Sequence, residues 1–101
     1  MEKKDFETDT RYTIAWRQPD GNVIPATIYV HRTYDPYMIV RMTGSDATLR
    51  KIVYADITRI VATESVTAEN RRTVPAALLD EKTWRDRTEM SHYASSAARG
   101  K

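Results

Sequence analysis

The chain has 101 residues, with 16 Lys and Arg against 14 Asp and Glu, a formal net charge of +2, and no cysteine. One domain with a small core fits that length. Disulfides and thiolate metal sites are excluded, and so is the heavily basic composition of a dedicated nucleic-acid clamp. No apolar run reaches the length of a membrane span, and Met1-Glu2-Lys3-Lys4-Asp5 lacks a signal-peptide core, so the expectation is a soluble cytoplasmic protein with no membrane partner. The charge is uneven: residues 1–9 hold four acids and two lysines, whereas residues 10–64 and 65–101 each hold seven bases and five acids.

Residues 1–10 are polar and read as an arm, frayed or carrying one short helical turn. Residues 11–17 alternate, with Tyr12, Ile14 and Trp16 on one face, which predicts a half-buried first strand. Gln18-Pro19-Asp20-Gly21-Asn22 is the strongest turn signal, because Pro presets φ and Asp-Gly supplies the positive φ of a hairpin. Residues 23–33 form a long second strand, with Ile24, Ala26, Ile28 and Val30 on one face and Val23, Thr27, Tyr29, His31 and Thr33 on the other. Pro25 cannot donate to a ladder and belongs near the strand start or at a bulge. Tyr34-Asp35-Pro36 turns the chain. The third strand, residues 37–42, sets Met38, Val40 and Met42 against Tyr37, Ile39 and Arg41. After a turn at Gly44-Ser45-Asp46, residues 49–54 and 57–62 supply a fourth and a fifth strand. Closely spaced short strands of this kind suggest a meander curling into a small barrel.

Residues 63–73 are polar and read as a linker or an ordered strap. Thr73-Val74-Pro75 looks like a helix start, with Pro at an early helical position. Residues 76–98 hold strong helix formers, and Leu78, Leu79 and Trp84 are the expected docking residues. The end, from Ser95 onward, is expected to be loose.

Two short motifs in this β-rich region resemble the Sm/Lsm family, including its bacterial branch, the Hfq proteins. Tyr34-Asp35-Pro36-Tyr37-Met38-Ile39-Val40 resembles the family's first motif, which opens strand three; Ile39 sits where eukaryotic members usually have Asn and Hfq has Ile. Ile52-Val53-Tyr54-Ala55-Asp56-Ile57-Thr58-Arg59-Ile60-Val61 resembles the second motif, where two short strands meet at a tight bend. The resemblance spans residues 12–62. It implies a mainly β protein: a small, strongly bent five-stranded SH3-like barrel over residues 11–63. An arm over 1–10 precedes it, and a linker with a C-terminal α-helical extension and tail over 64–101 follows. It also implies a homo-oligomeric ring in which strand four of one subunit pairs with strand five of the next. An unpaired apolar edge is an association hazard, which a closed ring would remove.

Single-stranded RNA is the partner that the family implies, with DNA an open alternative. Carried over, the stacking aromatic is Tyr37, supported by Asp35 and faced by Tyr54-Ala55-Asp56, and Arg32 and Arg41 are candidates for phosphate contact. Each has a plainer reading as well: barrel packing for Tyr37 and Tyr54, turn hydrogen bonds for Asp35 and Asp56, solvated charge for the arginines. Arg50, Lys51 and Arg59 are further candidates for phosphate contact, and adjacency puts Arg50 and Lys51 on opposite faces of their strand. Hfq carries a Lys-His pair at the bend; here Ala55 and Asp56 stand there, and a carboxylate disfavours phosphate. The family's glycine in strand two has no counterpart. A ring that has kept the fold and lost RNA binding is therefore the alternative reading, a structural or protein-interaction role. No nucleophile, acid–base pair or metal-ligand pattern is legible, so no enzymatic activity, cofactor or metal is expected.

Overall fold

A computed structural model describes residues 1–43, 48–71 and 74–90. The turn expected at Gly44-Ser45-Asp46, and residues 91–101 of the expected helix and tail, lie outside the described residues. Among the described residues six strands form one antiparallel sheet: β1 (Thr10–Arg17), β2 (Val23–Thr33), β3 (Tyr37–Met42), β4 (Leu49–Val53), β5 (Ile57–Ser65) and β6 (Glu89–Met90). Their order is β5-β1-β2-β3-β4-β6.

The hairpin between β1 and β2 forms where Asp20-Gly21 places it. Gln18 N–H donates to the Asn22 carbonyl and Gly21 N–H to the Gln18 carbonyl, both at 2.8 Å. Gly21 sits at φ +93°, a region that side chains resist. The side-chain period of two then decides what is buried. Tyr12, Ile14 and Trp16 of β1, Ile28 and Val30 of β2, and Met38 and Val40 of β3 all enter one core. Ile52, Tyr54 and Ile57, from the far side of the sheet, enter the same core, which requires the sheet to curl strongly.

Bulges help it curl. In β2 the register jumps between Val30 and Arg32, leaving His31 as the extra residue. Such an insertion shifts the alternation by one. Arg32 therefore opposes Ile39 and Thr33 opposes Met38, so Thr33 does not share the face of Tyr29 as strict alternation predicts. In β5 the register shifts twice against β1, at Thr58 and at Val61.

The fold departs from the expected five-stranded barrel in two ways. The sheet is open, because β5 pairs with β1 and not with β4, from which one 3₁₀ turn, Tyr54–Asp56, separates it. The sheet also has a sixth strand, since Glu89–Met90 pairs with Arg50 and Leu49 on the outer edge of β4.

The expected C-terminal helix is absent from its described part. Residues 74–90 instead form a strap: a 3₁₀ turn at Ala76–Leu79, one α-turn at Glu81–Trp84, then β6. Leu79, Trp84 and Met90 are spaced too irregularly to make a helical stripe, and short helices without one are marginal in water. Each of the three plugs instead into the outer face of the sheet, on Ile39 and Leu49, and makes a second core. Of the expected docking residues, Leu79 and Trp84 are buried and Leu78 is half-buried.

The arm is ordered around one residue. Phe6 is buried in the main core, stacked on Tyr54 at 5.8 Å and edge-on to Tyr12 at 4.9 Å. Its 3₁₀ turn, Lys3–Asp5, lies just before that anchor. β5 runs to Ser65, two residues past the expected end of the β unit. Among the described residues no helix is long and apolar enough to cross a membrane.

Candidate functional site

The residues around the two motifs surround two hollows that share one residue, Val53. The larger has a volume of about 730 Å³ and opens between the arm and the two turns. Phe6 and Tyr54 give it an aromatic floor, Pro36, Val53 and Ala55 an apolar wall, and Lys3 and Lys4 a charged rim. Glu2 and Asp35 are its acids. The smaller, about 140 Å³, lies at the seam where the curled sheet fails to close. Arg17, Arg50 and Lys51 line it, with Trp16, Asp56 and Thr88. Val53 is 39% exposed.

Tyr54 is held by its neighbours. Its ring packs in the core and its hydroxyl donates to the Tyr34 carbonyl at 2.6 Å. Burial, with the Asp35 carboxylate adding to it, pushes its phenol up to about 12. Tyr54 is 4% exposed and lines the larger hollow. Asp35 is exposed and lines that hollow; its own carbonyl accepts Tyr37 N–H at 2.8 Å. Asp56 is half-buried in the smaller one.

Tyr37 lies elsewhere. Alternation along β3 turns it to the outer face, where it packs beside Tyr34 and the strap. Lys51 Nζ lies over its ring at 5.2 Å, so one π-face is taken by a cation. Burial, then the Glu81 carboxylate, raise its phenol above the ordinary tyrosine range. Arg32 is exposed on the same side and reaches the Tyr34 hydroxyl at 3.4 Å. Arg41 is 8% exposed, in register with Tyr29 and Leu49. The structure thus brings Asp35, Tyr54 and Asp56 to one surface and sets Tyr37, Arg32 and Arg41 on the other face of the sheet.

Arg50 and Lys51 do point to opposite faces. Arg50 stacks on Trp16 at 4.8 Å and reaches Glu89 at 3.4 Å. Lys51 Nζ donates to the Trp84 carbonyl at 2.6 Å. Lys3, Lys4 and Arg17 are exposed, and none of them stands out in the sequence as a candidate. Arg17 closes a strand and faces the seam only because the sheet curls. A weak signal did exist for the arm: Phe6 is the chain's single phenylalanine, set among charges, as an anchor would be. Among the described residues no three His, Asp or Glu side chains converge as a metal site. Comparison of the chain with protein-family models, with curated proteins and with solved structures gives no match.

Proposed function

We propose that this protein binds single-stranded nucleic acid, with RNA as the first ligand to test, along the two hollows joined at Val53. The observation that carries the reading is their pairing. A hollow with an aromatic floor and an apolar wall has the character a base needs, and cations stand at its rim and in the adjoining seam, where a backbone phosphate would pass. The resemblance of Tyr34-Asp35-Pro36-Tyr37 and Tyr54-Ala55-Asp56 to Sm motifs favours RNA over DNA. The proposal concerns the single chain. A ring of the Sm kind needs the edge of β4, and Glu89–Met90 lies on that edge.

Binding should be modest. Arg50 and Lys51 are already engaged by Glu89 and the Trp84 carbonyl, which leaves Lys3, Lys4 and Arg17 as the exposed cations of the track. Three neutralised phosphates on a single strand give a slope of log K against log salt of about −2. Fluorescence anisotropy with labelled oligo-U, oligo-A and oligo-dT, run over a salt series, tests it. No binding of any oligomer at low salt refutes the proposal.

A second reading is a protein-interaction module that does not bind nucleic acid. Asp35 and Asp56, one in each hollow, favour it because carboxylates repel phosphate. Under it the same titrations stay flat.

A further inference from the structure

The two borders of the sheet differ. β4 carries Glu89–Met90 along its outer edge, whereas among the described residues β5 has no strand on its outer side. Nine residues long, β5 is exposed from Val61 to Ser65, and Val61, at 56%, is the most exposed large apolar side chain described. An uncovered edge of that length is a template for another strand.

From this asymmetry we infer that β5 is a pairing surface for a second copy of this chain, joined antiparallel about a two-fold axis between Val61 and Ala62. The register follows from the faces. Arg59 opposes Ala15 of β1 and Glu64 opposes Arg11, so both lie on the outer face; Ile60 and Thr63 oppose Ile14 and Tyr12, on the core face. The bulge at Val61 is what allows Arg59 and Glu64, an odd number of positions apart, to share a face. With Val61 opposite the partner subunit's Ala62, Arg59 meets the partner subunit's Glu64, and Ile60 meets the partner subunit's Thr63. Like faces stay together, and the two-fold axis makes every contact twice. Opposite charges directly across a ladder are favourable. Bulges usually blunt an edge, but here the extra residue faces alanine, whose methyl leaves room for it. This pairing does not depend on the nucleic-acid reading, since none of these residues lines either hollow.

The contact is small, below the ~1,200 Å² at the low end of specific interfaces, so association is expected at micromolar and higher concentrations. Sedimentation equilibrium from about 10 to about 500 µM, a range suited to so small an interface, on the wild type, Arg59→Glu, Glu64→Arg and the double variant tests it. Each reversal replaces two exposed ion pairs with two like-charge contacts and should weaken the dimer about tenfold, and the double variant should return to within about threefold of wild type. Arg59→Glu carries the comparison, because Glu64 also pairs with Arg11 of its own chain. A wild type that stays monomeric throughout, a dimer indifferent to both reversals, reversals that the double variant does not rescue, or an assembly larger than a dimer would each overturn the inference.

Discussion

Trp84→Ala is the substitution that most directly tests how the strap is held. Trp84 has no exposed surface. Its indole Nε1–H donates to the Leu78 carbonyl at 2.6 Å, its own carbonyl accepts from Lys51, and its ring fills the space over Ile39 and Leu49. In a rigid core, Trp→Ala costs about 3–5 kcal/mol. The strap has a second way to relax: it can let go, and the loss is then capped at its docking free energy. Residues 74–90 dock through few apolar side chains and must be ordered to do so, which places the expected loss below that range, at about 2–3 kcal/mol. That is a large share of the roughly 5–15 kcal/mol of a domain this size. Urea unfolding followed by circular dichroism measures it. Hydrogen exchange at Lys51 N–H, which donates to the Thr88 carbonyl at 2.9 Å, reports the strap directly. The variant should lose protection there while the β1–β2 ladder keeps it. A loss below about 1 kcal/mol, or unchanged protection at Lys51, would refute the claim that Trp84 seals the outer face.

Other outcomes follow from the same contacts. Tyr54 titrates near 12 in the folded chain against about 10 unfolded. A raised phenol contributes stability that is complete below pH 10 and lost as pH rises through 12, so the wild type should weaken across that window. Tyr54→Phe should be less stable by about 0.5–1.5 kcal/mol at neutral pH, having lost the bond to the Tyr34 carbonyl, and should show a smaller decline across that window, read by urea midpoints against pH. Lys3→Ala, Lys4→Ala and Arg17→Ala should each weaken oligonucleotide binding by about 3–10-fold and flatten the salt slope by about 0.7; anisotropy titrations decide, and an unchanged slope counts against the track. Gly21→Ala should cost about 1 kcal/mol in thermal or urea unfolding from backbone strain alone, since the space around its missing side chain is open. Asp9 has φ +56° and accepts from the Tyr29 hydroxyl. Asp9→Ala should therefore cost about 1–2 kcal/mol, and Asp9→Asn clearly less.

Much of the sheet was legible because its cause is local. Tyr12, Ile14 and Trp16 alternate, and so do Met38, Val40 and Met42, because one side of a curled sheet is wet or covered by something else. Asp20-Gly21 marks the hairpin because few other pairs tolerate that backbone. Period two also put Tyr37, Ile39 and Arg41 on one face. The bulges at His31, Thr58 and Val61 were not legible, since an extra residue leaves no mark in composition; they redirect Thr33 and bring Arg59 and Glu64 to one side.

The candidate site was legible only in part. The resemblance to the Sm motifs set apart Asp35, Tyr54 and Asp56, and these line two hollows that share Val53. Lys3, Lys4 and Arg17 join it only through Phe6, whose burial folds the arm across the sheet, and through the curl that brings the end of β1 against β4. The sequence alone settled where β1 to β5 run and which way most of their side chains face, because those follow from steric periods of two and from turns a few residues long. Tertiary structure alone decided that residues 74–90 become a strap rather than a helix, that β6 lies on the edge of β4, and that among the described residues no strand lies on the outer side of β5. Those outcomes turn on which apolar surface finds which partner across the fold, and a linear pattern carries no record of that.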